Sequence, residues 1–344
     1  MLEPAQSRRR GAQDFEGYYD HLCAAQGSAP VRAVKACLSR GVLEFNPDQL
    51  SLADWTPVLS ALAINKHLHQ VSIRSCHLLS TGAQNVYRPH NKKKTPAIHS
   101  KTVSLQLCKA VQKCLCESSS LRTLQLHALP LRERDLTALT KGLAKSVSLE
   151  HLSLAHCPIG DQGLEVICQS VKYSSTIKGV DFTSCNITWQ GAEHMANIIK
   201  HQAMRRHSTA WVETLRYRRA EFEAMNGLRR ITLNDNILIG DRGVSALARE
   251  LTEDLWVKEY MKNKLYPYDF TSSDSHCVFV HLHRGASRAD GRTDQSFQNA
   301  TSVQVTVETE SESEDVEAKD VESPLEKITS YQFRRLQTEN NRLK

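Results

Sequence analysis

One apolar pattern returns along the middle of this chain at a constant 28-residue step, and that step limits the folds open to it. Leu121, Leu124, Leu126 and Leu129 are followed by Leu149, Leu152, Leu154 and Cys157, then by Ile177, Val180, Phe182 and Cys185, each set one full step after the last. The same pattern returns at Leu68, Val71, Ile73 and Cys76 and at Leu228, Ile231, Leu233 and Asn236. Self-similarity at a period of roughly 20–50 residues marks an array of stacked units rather than a single compact core.

The chemistry within one unit gives its shape. Leu152 and Leu154 alternate as on a short strand, so both face inward and Ser153 between them faces out. The Asn or Cys at the ninth position has a short side chain that fits beneath the turn leaving the strand, where Asn236 can bond backbone groups. A polar turn follows, at Ile159 to Gly163 and at Ile187 to Gly191. Beyond it the apolar period changes from two to about 3.6, as in Leu164, Ile167, Cys168 and Val171 or Met195, Ile198 and Ile199. One strand-turn-helix unit can bury its leucines only against its neighbours, so the expected fold is an α/β solenoid with capped ends. Its parallel strands line a concave face and its helices a convex one.

The pattern also sets the expected domain limits. Residues 1–13 read as a disordered N-terminus, 14–66 as a helical cap with a degenerate first repeat around Leu43 and Phe45, and 67–256 as the repeat domain. Two repeat spacings are too long, which places insertions at about 78–100 and 204–227. After Trp256 the positions Val257, Tyr260 and Lys262 lack the apolar triplet and the array stops. Residues 257–330 read as irregular and acidic, largely disordered, because Glu308 to Glu326 holds nine acidic residues against Lys319 alone. Residues 331–344 carry Phe333, Leu336, Asn340 and Leu343 at coiled-coil spacing, but two heptads are too short to pair alone, so a monomer is expected.

Function classes narrow by elimination. No phosphate-binding glycine loop, dinucleotide fingerprint, HExxH or GxSxG motif occurs, so the reading is of a non-enzyme with no cofactor. Neither Cys114 with Cys116 nor the group His276, Cys277, His281 and His283 has the paired spacing of a metal site. No run of about 18 apolar residues is present to span a membrane. With the acidic segment set aside, the body is more basic than the overall +6, which raises nucleic acid as a partner. The outward strand positions argue against it: Gln125, His127, His151, Ser153, Asp181, Thr183, Arg230 and Thr232 form a mostly neutral strip, whereas a phosphate-binding face is lined with Lys and Arg. That strip and the second insertion are the candidate protein-binding surfaces. In the insertion Arg205, Arg206, Arg216, Arg218 and Arg219 interleave with Trp211 and Tyr217, residue types that anchor protein interfaces. The other reading is a plain extension of the preceding helix that packs Trp211 and Leu215 on the convex side.

The repeat units, with Cys or Asn at the ninth position, resemble the ribonuclease-inhibitor subtype of leucine-rich repeat. More specifically, LEHLSLAHCPIGDQG at Leu149 to Gly163, NITWQGA at Asn186 to Ala192, MRRHSTAWVETLRYRR at Met204 to Arg219 and GLRRITL at Gly227 to Leu233 resemble the seventy-eight-kilodalton centrosomal protein family, over about Asp14 to Trp256. The resemblance implies a scaffold of the centrosome, centriole and basal body that supports cilium assembly. It implies centriolar proteins as partners, together with the Vpr-binding subunit of a cullin-type ubiquitin ligase that the scaffold restrains. This chain has half the mass in that name, matches nothing familiar over Lys258 to Ala300, and so resembles a shortened form. The alternative is a cytosolic ribonuclease-inhibitor-type regulator that sequesters an enzyme through its repeat arc.

Overall fold

The computed structural model describes residues 5–76, 95–217, 227–252, 275–285 and 300–310. Along the chain, helices α1 (Ala5–Gln13), α2 (Phe15–Ala25) and α3 (Arg32–Lys35) lead into strand β1 (Val42–Phe45), and α4 (Leu52–Ile64) leads into β2 (Gln70–Arg74). The repeats continue as α5 (Lys101–Glu117), β3 (Thr123–His127), α6 (Glu133–Leu143), β4 (His151–Ser153), α7 (Gly160–Val171) and β5 (Gly179–Asp181). Then come α8 (Trp189–Leu215), β6 (Arg230–Thr232), α9 (Gly240–Thr252), β7 (Ser275–Gly285) and β8 (Ala300–Glu310).

Strands β1 to β6 run parallel in chain order, and the inward residues share one register: Leu43 lies opposite Val71, then Leu124, Leu152, Val180 and Ile231. Each of these side chains is buried between the sheet and the helices. Helix α7 turns Leu164, Ile167, Cys168 and Val171 into the same core. Burying an aliphatic side chain contributes about 1.5–3 kcal/mol, so the ladder holds the array together one neighbour at a time. The fold is the expected leucine-rich-repeat solenoid.

Two devices join each unit to the one before it. In the turns after β3, β4, β5 and β6 one residue is left-handed without being glycine: Ala128 at φ 53°, His156 at 61°, Ser184 at 53° and Asp235 at 57°. This costs on the order of 1 kcal/mol per residue, and the next side chain offsets it. The Cys157 thiol donates to the carbonyl of Leu126 at 3.0 Å, and Cys185 to that of Leu154 at 3.2 Å. Asn236 extends the device, donating to the carbonyls of Phe182 (2.8 Å), Leu233 (3.0 Å) and Asn234 (3.1 Å) while its Oδ1 accepts from the N–H groups of Cys185 and Ile187 at 3.0 Å each. On the helical side, Asp161 of α7 accepts from the N–H groups of Thr188 (2.9 Å) and Gly191 (3.0 Å), which caps the helix of the following unit.

Ordered segments reach into three of the expected boundary regions. Residues 5–13, expected to be disordered, form α1, because the Ala12 carbonyl accepts from Lys66 N–H at 2.8 Å and Gly11 lies so close to the Tyr18 ring that no side chain fits there. The first insertion ends earlier than residue 100. Residues 77–94 lie outside the described residues, but Ile98 is fully buried and the His99 carbonyl accepts from Arg132 at 3.1 Å, so 95–100 belong to the repeat. Of residues 257–330 the described ones are β7 and β8, which pair antiparallel, and β8 pairs antiparallel with β6, Val305 opposite Ile231. The alternation of Val303, Val305 and Val307 suits a strand, and the last parallel strand offers it unsatisfied edge groups. The heptad at 331–344 lies outside the described residues.

Asn236 gives this account a direct test. Asn236→Ala leaves the buried N–H groups of Cys185 and Ile187 without the Asn236 acceptor and takes a donor from three carbonyls, of which that of Asn234 keeps the Ser184 N–H, and is expected to lower stability by about 2–3 kcal/mol or more. Asn236→Cys, which copies the neighbouring repeats, is expected to recover part of that loss. Urea unfolding of the three chains measures both; equal midpoints would show that the ninth-position bonds do not tie the repeats.

Candidate functional site

The strand-lined face presents the expected outward side chains, and the shared register fixes their spacing. Ser72, Gln125, Ser153, Asp181 and Thr232 occupy one row across five strands. Strands about 4.8 Å apart bring short polar groups within reach of one another. Ser72 donates to Gln125 Oε1 at 3.0 Å and Ser153 donates to Asp181 Oδ2 at 2.8 Å. The other Asp181 oxygen accepts from Thr183, at 3.0 Å from its N–H and 2.7 Å from its hydroxyl. His127 Nε2 lies 2.8 Å from Ser153 Oγ.

The proton inventory shows what this cluster does. Ser153 has one hydrogen, and it goes to Asp181, a carboxylate that only accepts. Ser153 therefore accepts from His127 in its Nε2–H form. A serine nucleophile needs the reverse, with the serine donating to a histidine that the acid orients. Here the acid holds the serine instead, and the serine, 8% exposed, is wired into the sheet. Among the described residues no three potential metal ligands gather, and no helix is long and apolar enough to cross a membrane. Cys114 is buried and Cys116 exposed, so that pair does not converge.

Arg74, His151 and Arg230 are exposed on this face, and so is Glu44 of β1, which lies opposite Ser72 in the same row. The His151 ring lies across Gly179, where a side chain would meet its Nδ1 at 2.8 Å and push the ring aside. Along the strand approaches, Glu150 bridges Arg122 and Lys178, the latter at 2.9 Å, and these two partners, with the Lys178 bond foremost, hold its carboxyl below the usual range.

The second candidate surface is the far end of α8. The helix runs without interruption into the expected insertion, as the extension reading required, but it does not pack Trp211 on the convex side. Trp211 is 66% exposed, Leu215 63% and Met204 60%. Arg205 is exposed, with its Nη1 donating to the Tyr173 carbonyl at 3.5 Å, and Arg216 pairs with Glu213 at 3.2 Å. Tyr217 is fully exposed at φ 56°. Arg218 and Arg219 lie outside the described residues. Arg206 corrects the expectation of a binding residue: it is 4% exposed and lies against Gly227, beside Gln202, whose Oε1 accepts from Leu228 N–H at 2.8 Å. The continuing helical period puts 199, 202 and 206 on one face, so Arg206 is carried into the core side. The sequence interleaving hid the exposed face; the spacing of Met204, Trp211 and Leu215, opposite to Met195, Ile199 and Gln202, was the signal available.

The histidines of the strand-lined face make a pH prediction. Burial, and secondarily Arg74, push His127 below the usual imidazole range; burial, then Lys178 and Arg230, does the same for His151. Each therefore stabilises the fold fully above an ordinary pKa near 6.5, and that contribution is lost as pH falls from there through the lowered folded-state value. Thermal midpoints are expected to drop between pH 7 and pH 5, with a shallower drop in His127→Gln, which keeps a donor toward Ser153. An equal slope in the variant would remove His127 from the account.

Comparison with known proteins agrees with this architecture. A sequence profile described as Leucine Rich repeat matches residues 145–168, which carry β4 and the start of α7. The chain is 59% identical over 261 residues to the Centrosomal protein of 78 kDa of Xenopus tropicalis, covering 75% of this chain and 36% of that protein. It is 55% identical over 261 residues to the Homo sapiens protein of the same name, covering 75% and 38%. To that of Mus musculus it is 54% identical over 265 residues, covering 75% and 33%. The chain thus spans about a third of the length of the curated relatives it matches. By its stacked strand-and-helix units and by these relatives, the chain is a leucine-rich-repeat protein related to the centrosomal proteins of 78 kDa.

Proposed function

We propose that the chain is a non-enzymatic protein-binding scaffold of the centrosome, centriole and ciliary basal body. In this reading it supports cilium assembly and restrains a cullin-type ubiquitin ligase through that ligase's Vpr-binding subunit. The names of its relatives supply the centrosome. The binding role rests on one observation: α8 outlasts the core it packs on and presents Trp211, two-thirds exposed, at its far end. Aromatic and arginine side chains on an accessible helix are the usual anchors of protein interfaces. The strand-lined face, with Gln125, His127, His151, Asp181, Thr183, Arg230 and Thr232, serves as the second surface, with Arg230 and His151 accessible on it.

A cytosolic regulator of the ribonuclease-inhibitor type is the second reading, favoured by the same polar strip and requiring no centrosome. Imaging of the tagged chain beside a centriole marker separates the two. A focus at the centriole is expected, lost in the double variant Trp211→Ser with Leu215→Ser while its stability stays within about 0.5 kcal/mol of the parent, as exposed positions allow. Diffuse signal from the parent chain would favour the cytosolic regulator, and a focus that survives both substitutions would move the binding role to the strand-lined face.

A further inference from the structure

The exposed end of α8 has a defined pattern of shape and charge. At about 100° per residue, Met204, Trp211 and Leu215 fall within about 40° of one another, on the side opposite the buried Met195, Ile199, Gln202 and Arg206. Their spacing of seven and then four residues, with small Ser208 between, is that of a seam able to receive another helix. Val212, 42% exposed, widens the stripe on one side.

The borders of the stripe carry one sign. Arg205 and Arg216 run along the Val212 side, and Lys200 and His207 along the other, all four exposed. Glu213, the acid of this stretch, stands about 180° away from the seam and reaches only Arg216. We infer that the seam of α8 is a docking site for a partner helix whose own apolar stripe is bordered by Asp and Glu. This rests on the proposed scaffold role and names the chemistry of its partner.

The same borders argue against a second copy of this chain. Antiparallel pairing about the seam would set Arg205 of one copy beside Arg216 of the other, and parallel pairing would set both arginines against Lys200 and His207. Like charges across a helix pair are unfavourable, whereas an acidic-bordered helix meets Arg205, Arg216 and Lys200. The chain's own acidic segment, Glu308 to Glu326, is the competing occupant that the experiment must separate.

The probes are two fluorescein-labelled synthetic peptides of roughly three heptads with Leu at a and d, one with Glu and one with Lys at the flanking e and g positions. Fluorescence anisotropy with the full chain is expected to show the Glu peptide binding at least about tenfold more tightly than the Lys peptide, a preference that shrinks as salt is raised. Trp211→Ser with Leu215→Ser is expected to abolish binding of both, and Arg205→Glu with Arg216→Glu to reverse the preference. Circular dichroism melts check that each variant folds. Equal affinities, or no binding by a folded chain, overturn the inference. A dimer in sedimentation equilibrium that Trp211→Ser dissolves assigns the seam to a second copy instead, and tighter peptide binding on deletion of residues 311–326 assigns it to the chain's own segment. If the seam variant loses its centriolar focus while the peptides bind equally, the partner chemistry fails and the scaffold reading stands. If the peptides discriminate but the parent chain shows no focus, the scaffold reading fails and the docking chemistry stands.

Discussion

The fold depends on hydrogen bonds and apolar contacts that each repeat can complete only with the unit before it. The turn after β4 is left-handed at His156, and what holds it is Cys157 reaching back to the Leu126 carbonyl of the preceding strand. The turn after β5 does the same with Cys185 and Leu154, and Asn236 finishes the series by satisfying groups on both sides of the next boundary. Apolar burial follows the same rule, since Leu124, Leu152, Val180 and Ile231 lie in one register line. No unit is stable by itself, and the chain therefore needs a different structure where neighbours run out. At the N-terminal end Trp55 packs edge-on to Phe45 at 6.0 Å, over a floor that includes Tyr18 and Tyr19.

That same economy frees the surfaces. On the strand-lined face the polar row is occupied with itself: Ser153, Asp181, Thr183 and His127 satisfy one another at hydrogen-bond distance. Asp181 is thereby occupied within the row, whose other carboxylate, Glu44 opposite Ser72, stays exposed along with Arg74, His151 and Arg230. On the helical side α7 ends at Val171 with its apolar face covered, whereas α8 continues for 27 residues in all. Its last buried contact is Arg206 beside Gly227, and beyond that point the helix has run past the groove between its neighbours.

Much of this was legible in the sequence, because a fixed repeat period leaves little freedom. Leu152 and Leu154 had to face one way and Ser153 the other, and the change of period after Gly163 had to be a helix. The outward strip was legible for the same reason, since strand alternation places Gln125, Ser153 and Asp181 on one side without further information. Hydrogen bonding within that strip was not, because it depends on the register of strands a whole repeat apart and on which rotamers reach across. The structural role of the left-handed residues was also hidden: Ala128, His156, Ser184 and Asp235 share a position but no chemistry.

The sequence by itself determined the repeat unit, the inward residues and the positions of the strands, since periodicity is a local property that each segment carries with it. Helical period placed Arg206 on the side of Met195 and Ile199, but only the tertiary structure decided how far along α8 that side is covered. Arg206 and Arg205 are adjacent and chemically identical, yet one is 4% exposed and the other stands in solvent, because Gly227 approaches one face of the helix alone. It also set Gln304 to Thr306 beside β6, whose open edge supplies their backbone partners. In both cases the deciding group lies far away in sequence, and no local pattern encodes where a distant backbone will pass.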